Sequence, residues 1–530
     1  MADLAIVNAK VWTGNPARPA AEAVAVRGDR IEAVGGDADI RAHLDPGARI
    51  IDAAGRRVVP GFIDAHAHVL QGGFSLLSPP LRQAADERQL AEMIRRRAQS
   101  LPPGTWITGG QWDHEAWPGR ALPTRQLIDP VTPEHPVLVS RLDGHVALAN
   151  SLALQRAGID RRTPDPPGGA IRRDAQGEPT GILIDAAKVI VDRVIPEPDE
   201  AQRLGAARAA LRHLAELGVT GVHAPMDLGE LSLWRKLREA GELTVRIYAM
   251  IYFDSWRSAP ADELRALAGD PLLHAGAVKV FADGSLGGGS ALFFEPYCDN
   301  PQSTGLAIHG EQELYDMVRR VDAAGMQVAL HAIGDKAVHW ALNAFERAAA
   351  ANGRRDSRHR IEHAQMVRPE DRGRFAPLGV VASIQPSHCI DDMRWVARRM
   401  GGRTRLSYPF RSLLAAGARV AAGSDWPVEP VNPMLSLYAA ITREFASGGP
   451  EGGWHGEEKV TVEQALAAQT LGAAFAEFRE QDKGAIEPGK LADLVMLSDD
   501  VLQARPQGIL ATRAEMTLLG GQIVFERESR

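Results

Sequence analysis

Residues 58–68 read VVPGFIDAHAH, an apolar run that ends in two histidines one residue apart. Val, Ile and Phe in such a run suit a strand buried on both faces. A strand repeats every two residues, so His66 and His68 are expected to point to one side. Seven more apolar runs follow: GVTGVHA (218–224), TVRIYAMIYF (244–253), AGAVKVFAD (275–283), MQVALHA (326–332), RIEHAQ (360–365), GVVASIQ (379–385) and ARVAAGSD (418–425). Segments of helical spacing lie between them, such as AARAALRHLAELG before the second and ELYDMVRRVDAAG before the fifth. Eight βα units predict an α/β fold, a (β/α)8 TIM barrel. An open doubly wound sheet is the competing architecture, and the lack of a glycine-rich βα turn argues against its dinucleotide-binding form.

Both chain ends read as β-structure. LAIVNAKVW (4–12) is a candidate strand, and AEAVAV-RGD-RIEAVG (21–35) and RIIDAAGRRVVP (49–60) read as hairpins, turning at Gly28-Asp29 and near Ala54-Gly55. LADLVML (491–497) reads as a strand, and MTLLGGQIVFE (516–526) as a hairpin turning at Gly520-Gly521. Neither end is long enough to bury a core alone. The expected organisation is therefore a composite β-sandwich from residues 1–58 and 481–530, with the barrel at 59–480. The gap between the first two strands is far longer than one helix needs. It is read as an insertion over residues 70–200, with helices at ERQLAEMIRRRAQS and ALANSLALQRAG, a Pro/Gly-rich link TPDPPGG and a hairpin AIRRDAQGEPTGILI. It falls on a βα connection, the side of a barrel where active sites are built.

The composition narrows the class. The chain has 530 residues, 2 Cys and a net charge of −7. Two cysteines make neither a disulfide framework nor a Cys-rich zinc site, and suit a reducing, cytoplasmic setting. A net acidic chain argues against nucleic acid as partner. No apolar run is long enough to span a bilayer, so no membrane partner is expected. The opening MADLAIVNAK lacks a basic segment ahead of an apolar one, so no signal peptide is expected.

Chemistry is concentrated at strand ends. His331 closes the fifth strand, His363 the sixth, and Asp425 the eighth. With His66 and His68 these are four imidazoles and a carboxylate at the C-terminal ends of barrel strands, a natural set for zinc, iron or manganese. Lys279 interrupts the apolar fourth strand, and a buried lysine must be paired or chemically altered. It has two readings: an ion pair with Asp283, or carbamylation by carbon dioxide into an anion able to bridge two metals. In the insertion, Trp112, Asp113 and His145 are candidate pocket residues, although Trp112 and Trp117 equally suit a small core of their own. His388, after the seventh strand, is a further substrate candidate. His309, His339 and His455 read as ordinary surface histidines, and RRDSRHR (354–360) as a solvated turn.

This constellation resembles the amidohydrolase superfamily of metal-dependent hydrolases (amidohydrolase family 3), in the branch that includes N-substituted formamide deformylase. VVPGFIDAHAH, QWDHEAW (111–117), LDGHVALANSLAL (142–154), VKVFADGSLGGGSA (278–291), LHAIGDKAV (330–338), HRIEHAQ (359–365), GSDWPVEP (423–430) and KGAIEPGKLADLVML (483–497) carry the resemblance. It implies His66, His68, Lys279, His331, His363 and Asp425 as metal ligands, with Lys279 carbamylated. It implies one or two divalent transition metals per chain, zinc first. It further implies Asp425 as proton acceptor and donor, and His145 or His331 as aids to the substrate carbonyl. The expected activity is cleavage of a non-peptide C–N bond in a small amide or formamide by a metal-bound hydroxide. A deaminase or cyclic amidase on the same site is the alternative, and a metal-binding regulatory protein without catalysis the second. A homodimer is common among such relatives.

Overall fold

A computed structural model describes residues 2–141, 145–259, 264, 267 and 269–528. Among these, eight parallel strands form one nearly closed sheet whose spatial order follows the chain: Phe62–Asp64, Val219–Met226, Arg246–Tyr252, Leu273–Phe281, Gln327–Ala332, Arg360–His363, Val381–Ile384 and Arg419–Ala422. All eight expected strands are present. The first and last meet beyond the ladder proper: the Ala65 amide donates to the Ala422 carbonyl at 3.1 Å, and the His68 amide to the Trp426 carbonyl at 2.7 Å. This is the strand arrangement of a TIM barrel, carried together with further β-structure.

The helices between strands bury one stripe each. Glu311–Ala323 places Leu314, Met317, Val318 and Val321 inward at a 3–4 residue spacing, with Glu311 and Glu313 in its first turn, where the helix dipole favours negative charge. Those residues join strand residues Val328 and Leu330 in one apolar cluster.

The chain ends build two sheets. One has four strands, ordered Arg30–Gly35, Ala23–Arg27, Ala2–Val7, Leu44–Asp52; the other has six, and pairs Arg57–Pro60 with Leu494–Leu497. Leu4, Ile6, Val24 and Val26 from the first share a core with Val58, Leu494, Met496 and Leu518 from the second. One expected hairpin is corrected here. RIIDAAGRRVVP does not fold back on itself: Leu44–Asp52 pairs in parallel with Ala2–Val7, and Arg57–Pro60 belongs to the other sheet. Ala54 and Gly55, at φ +51° and +76°, turn the chain from one sheet to the other.

A second compact unit spans Leu70–Ala210. It holds a five-stranded sheet that the hairpin Gly169–Arg173/Pro179–Asp185 extends at one side. The segment expected as helix at 147–158 is divided: Val146–Ala149 is a strand, and only Ser151–Arg156 is helical, capped by the Asn150 side chain. The unit has its own core, in which the Trp112 and Trp117 rings lie 6.2 Å apart, tilted by 31°, beside Leu90, Ile94 and Val139.

Candidate metal centre

The C-terminal ends of the barrel strands converge on Asp425. Its Oδ1 lies 3.3 Å from His68 Nε2 and 3.6 Å from His66 Nε2, and its Oδ2 3.8 Å from His388 Nε2. The His66 and His363 rings are 5.1 Å apart, and those of His331 and His363 4.6 Å. Two groups have the compactness of metal sites, His66–His68–Asp425 and His363–His388–Asp425. His66 and His68 do face together, but not as strand neighbours. The first strand ends at Asp64, and the turn after it brings the two rings to a common carboxylate.

Backbone conformation aims these side chains. His363 and Asp425 have φ of +74° and +61°, a region that non-glycine residues seldom occupy. Such positions cost roughly 1–3 kcal/mol and persist when surrounding structure over-determines them. The Asp425 amide is held by the His66 carbonyl at 2.6 Å. Asp64 Oδ1 receives the amides of both His66 and Ser424, each at 3.0 Å. Gly423 completes this seam: a Cβ there would lie 2.4 Å from the His66 nitrogen.

The electrostatics suit a cation. Burial, with the Lys279 charge behind it, holds the His66 imidazole down at about 4 and that of His331 at about 3. Burial likewise holds His363 well below its ordinary value. His66, His331 and His363 are thus uncharged near neutral pH, with lone pairs to offer. Burial opposes ionisation of Asp425, but the approach of His68 at 3.3 Å and the polar imidazoles around it outweigh that and hold the carboxyl well below its usual range. His331 Nε2 lies 3.2 Å from the Gly284 carbonyl, which can only accept, so that nitrogen carries the proton and Nδ1 keeps the lone pair of a ligand.

Lys279 is 1% exposed, and its Nζ has no hydrogen-bond partner, lying 5.1 Å from the Phe281 ring centroid. Burial brings its amine down to about 8. The ion pair with Asp283 is not formed. Asp283 instead accepts the amides of Leu292, Ile333 and Gly334 at 2.8–3.0 Å. The Nδ1 of His363 and Nε2 of His388 are also buried without hydrogen-bond partners. An ionised carboxylate, buried imidazoles and orphaned buried nitrogens together have the donor chemistry of a divalent transition metal site, which His66, His68, His363, Asp425 and, in addition to the expected set, His388 could hold, with the His331 ring beside that of His363.

The insertion's candidates lie in the second unit. Trp112 is fully buried and donates its Nε1–H to the Val139 carbonyl at 2.9 Å, so its ring serves that unit's core instead of lining a pocket. Asp113 pairs with Arg141 at 3.4 Å and caps the turn at Glu115. His145 is exposed, with Nδ1 2.7 Å from Asp185 Oδ1; residues 142–144 of the same motif lie outside the described residues.

The structure adds residues that the sequence reading passed over. Glu362 is fully buried and hydrogen-bonds His66 Nδ1. Arg360, also fully buried, pairs with Glu362. The reading of RRDSRHR as a solvated turn is therefore wrong at its end. Arg358 binds Glu480 at 2.8 Å, His359 meets Asp322 at 3.2 Å, and Arg360 enters the barrel. The available signal was RIE itself: two opposite charges at alternate strand positions share a face, and here that face is the barrel interior.

Comparison with known proteins identifies the family. The model of the amidohydrolase family matches residues 49–525. The chain is 39% identical to "Protein LONG AFTER FAR-RED 3" of Arabidopsis thaliana, over 99% of this chain and 92% of that one. It is 29% identical to N-substituted formamide deformylase of Arthrobacter pascens, over 99% of each. Among solved structures, a metal-dependent hydrolase from Pyrococcus horikoshii OT3 superposes with a TM-score of 0.77 at 27% identity, over 95% of this chain and 99% of that one. The chain belongs to the amidohydrolase family.

Proposed function

We propose that this protein hydrolyses a non-peptide C–N bond in a small N-substituted amide or formamide, releasing a carboxylate and an amine. The observation that carries the reading is the convergence of His66, His68, His363 and His388 on Asp425, beside the orphaned Lys279 amine. The family membership and the likeness to N-substituted formamide deformylase support the bond type. A divalent metal, zinc the first expectation, supplies Lewis acidity there, polarising a carbonyl and bringing the pKa of water to about 7.

The chain's own residues do the rest. Asp425 receives the proton of the attacking water and returns it to the leaving nitrogen, as base and then as acid. Lys279, uncharged in part of the population, adds carbon dioxide at Nζ with loss of a proton and becomes an anionic ligand. His331 serves as ligand through Nδ1. Substrate choice is assigned to the insertion through His145, whose imidazole Asp185 orients.

The test is amine release from a panel of N-acyl amines and N-substituted formamides, using native, chelator-stripped and zinc-restored protein. Turnover of at least one such substrate, lost on stripping and regained with zinc, is expected. Equal rates for stripped and restored protein, or no amine released from any of them, overturns the reading.

A further inference from the structure

The row of buried polar groups beneath the metal centre has a direction that hydrogen-bond chemistry determines. Arg360 is its pivot. Its Nε and Nη2 donate to Glu362, and Nη2 also donates to the Ala65 carbonyl at 2.6 Å and to Ser383 Oγ at 2.8 Å. Its Nη1 lies 2.7 Å from His223 Nδ1. A guanidinium only donates, so His223 Nδ1 accepts, and the proton of that ring sits on Nε2, facing Glu477 Oε1 at 3.4 Å. Glu477 in turn meets Lys483 at 2.7 Å.

On the other side, Glu362 accepts from Ser383 Oγ at 2.8 Å and from His66 Nδ1. A carboxylate flanked by a guanidinium has no proton to give, so His66 Nδ1 carries the hydrogen. The lone pair of His66 is then on Nε2, the atom 3.6 Å from Asp425 Oδ1. The row is not a proton wire: Arg360 stands in it and does not deprotonate in proteins. Stability is a weak reason for such a row, since buried ion pairs are often no more stabilising than apolar residues of the same size.

We propose that Glu362 is a positioning residue that fixes His66 as an Nε2 metal ligand, and that Arg360 supports it by gripping both this carboxylate and the Ala65 carbonyl next to His66. The proposal rests on the metal-centre reading above. It assigns a role to two residues that touch neither substrate nor metal.

The test uses the full-length protein with Co2+ as probe. Glu362→Gln keeps the shape and an acceptor oxygen but removes the charge; Glu362→Asp keeps the charge on a shorter stem. Three quantities are read: Co2+ affinity by chelator competition, the visible spectrum of bound Co2+, and the tautomer of His66 in 15N-histidine spectra of the metal-free native protein. The native protein is expected to show His66 protonated on Nδ1. Glu362→Gln is expected to lose about 10–100-fold in Co2+ affinity, the usual scale for removing a group that orients a ligand. An altered Co2+ spectrum should accompany that loss, and Glu362→Asp should recover part of the affinity. A Glu362→Gln affinity within about threefold of native lies outside that scale and overturns the proposal. So does a His66 proton on Nε2, which decides the matter even where the variant fails to fold. A native protein that binds no Co2+ would sink the metal-centre reading and this proposal with it, an outcome distinct from native binding that the variant leaves unchanged.

Discussion

Replacing Asp64 by alanine should open the seam on which the centre is built. Asp64 Oδ1 is the acceptor for two buried amides, His66 N and Ser424 N, each at 3.0 Å. Asp64 and Ser424 are 360 positions apart in sequence, so this carboxylate ties the segment carrying His66 and His68 to the one carrying Asp425. Asp64→Ala leaves both donors without an acceptor. At roughly 1–3 kcal/mol for each unsatisfied buried group, the loss is about 2–6 kcal/mol. That is a large part of a typical folding free energy of about 5–15 kcal/mol. Asp64→Asn keeps an oxygen where Oδ1 lies and should stay within about 1 kcal/mol of native, since one acceptor can still serve both donors. Urea unfolding of metal-free protein, followed by circular dichroism, measures the first effect. Zinc competition measures the second, for which Asp64→Ala should bind about tenfold more weakly or worse, in line with other groups that orient ligands. An Asp64→Ala protein within about 0.5 kcal/mol of native, with native zinc affinity, would show that the seam holds without this carboxylate and refute the reasoning.

The other predictions probe separate parts of the chain. Asp425→Asn should retain the fold yet turn over at least about 10²-fold more slowly, the scale for a lost general base, as steady-state rates on any cleaved amide will show. Gly423→Ala places a Cβ 2.4 Å from the His66 nitrogen and 2.7 Å from Asp64 Oδ1, so unfolding midpoint and zinc content should both fall. Burial raises the carboxyl of Glu477, but Lys483 and His223 outweigh it and bring it to about 2 from 4.5. A carboxyl depressed this way contributes about 3 kcal/mol that is present above pH 4.5 and lost as pH falls toward 2. The melting temperature of Glu477→Gln should therefore fall less steeply than native across that window. His145→Ala should change the relative rates on a substrate panel while leaving metal content unchanged; identical relative rates would make the residue structural.

What the sequence disclosed and what it hid follow from one physical difference. Barrel strands buried on both faces read as continuous apolar runs, so a polar residue closing one stands out, and His331, His363 and Asp425 were visible for that reason. Lys279 stood out the same way. Arg360 did not, because it ends the charged run RRDSRHR, and charged runs are normally solvated. Its burial depends on partners from three other strands or their ends, Ala65, His223 and Ser383, which no local pattern displays. His388 was placed correctly after the seventh strand. Its approach to Asp425 depends on the helical turn Pro386–Asp392, in which three of the first four residues are buried. The misread hairpin at 49–60 shares this cause. Ala54-Gly55 is a turn either way, and only the partner strands, Ala2–Val7 on one side and Leu494–Leu497 on the other, show that it joins two sheets.

Packing alone is a weak reason for the polar group around Asp425. Several buried imidazoles and an ionised carboxylate are an expensive group to desolvate, and apolar residues of similar size would fill the space at lower cost. Two of the participating residues, His363 and Asp425, are held in a backbone conformation that disfavours them. Near them the Lys279 amine is buried with no hydrogen-bond partner. Each feature alone is an ordinary irregularity. They coincide at the C-terminal ends of the barrel strands, the face on which such barrels build their active sites. A fold that gives up stability at one location, and there supplies neutral nitrogen donors beside an anionic oxygen, has the donor chemistry of a metal-dependent hydrolase.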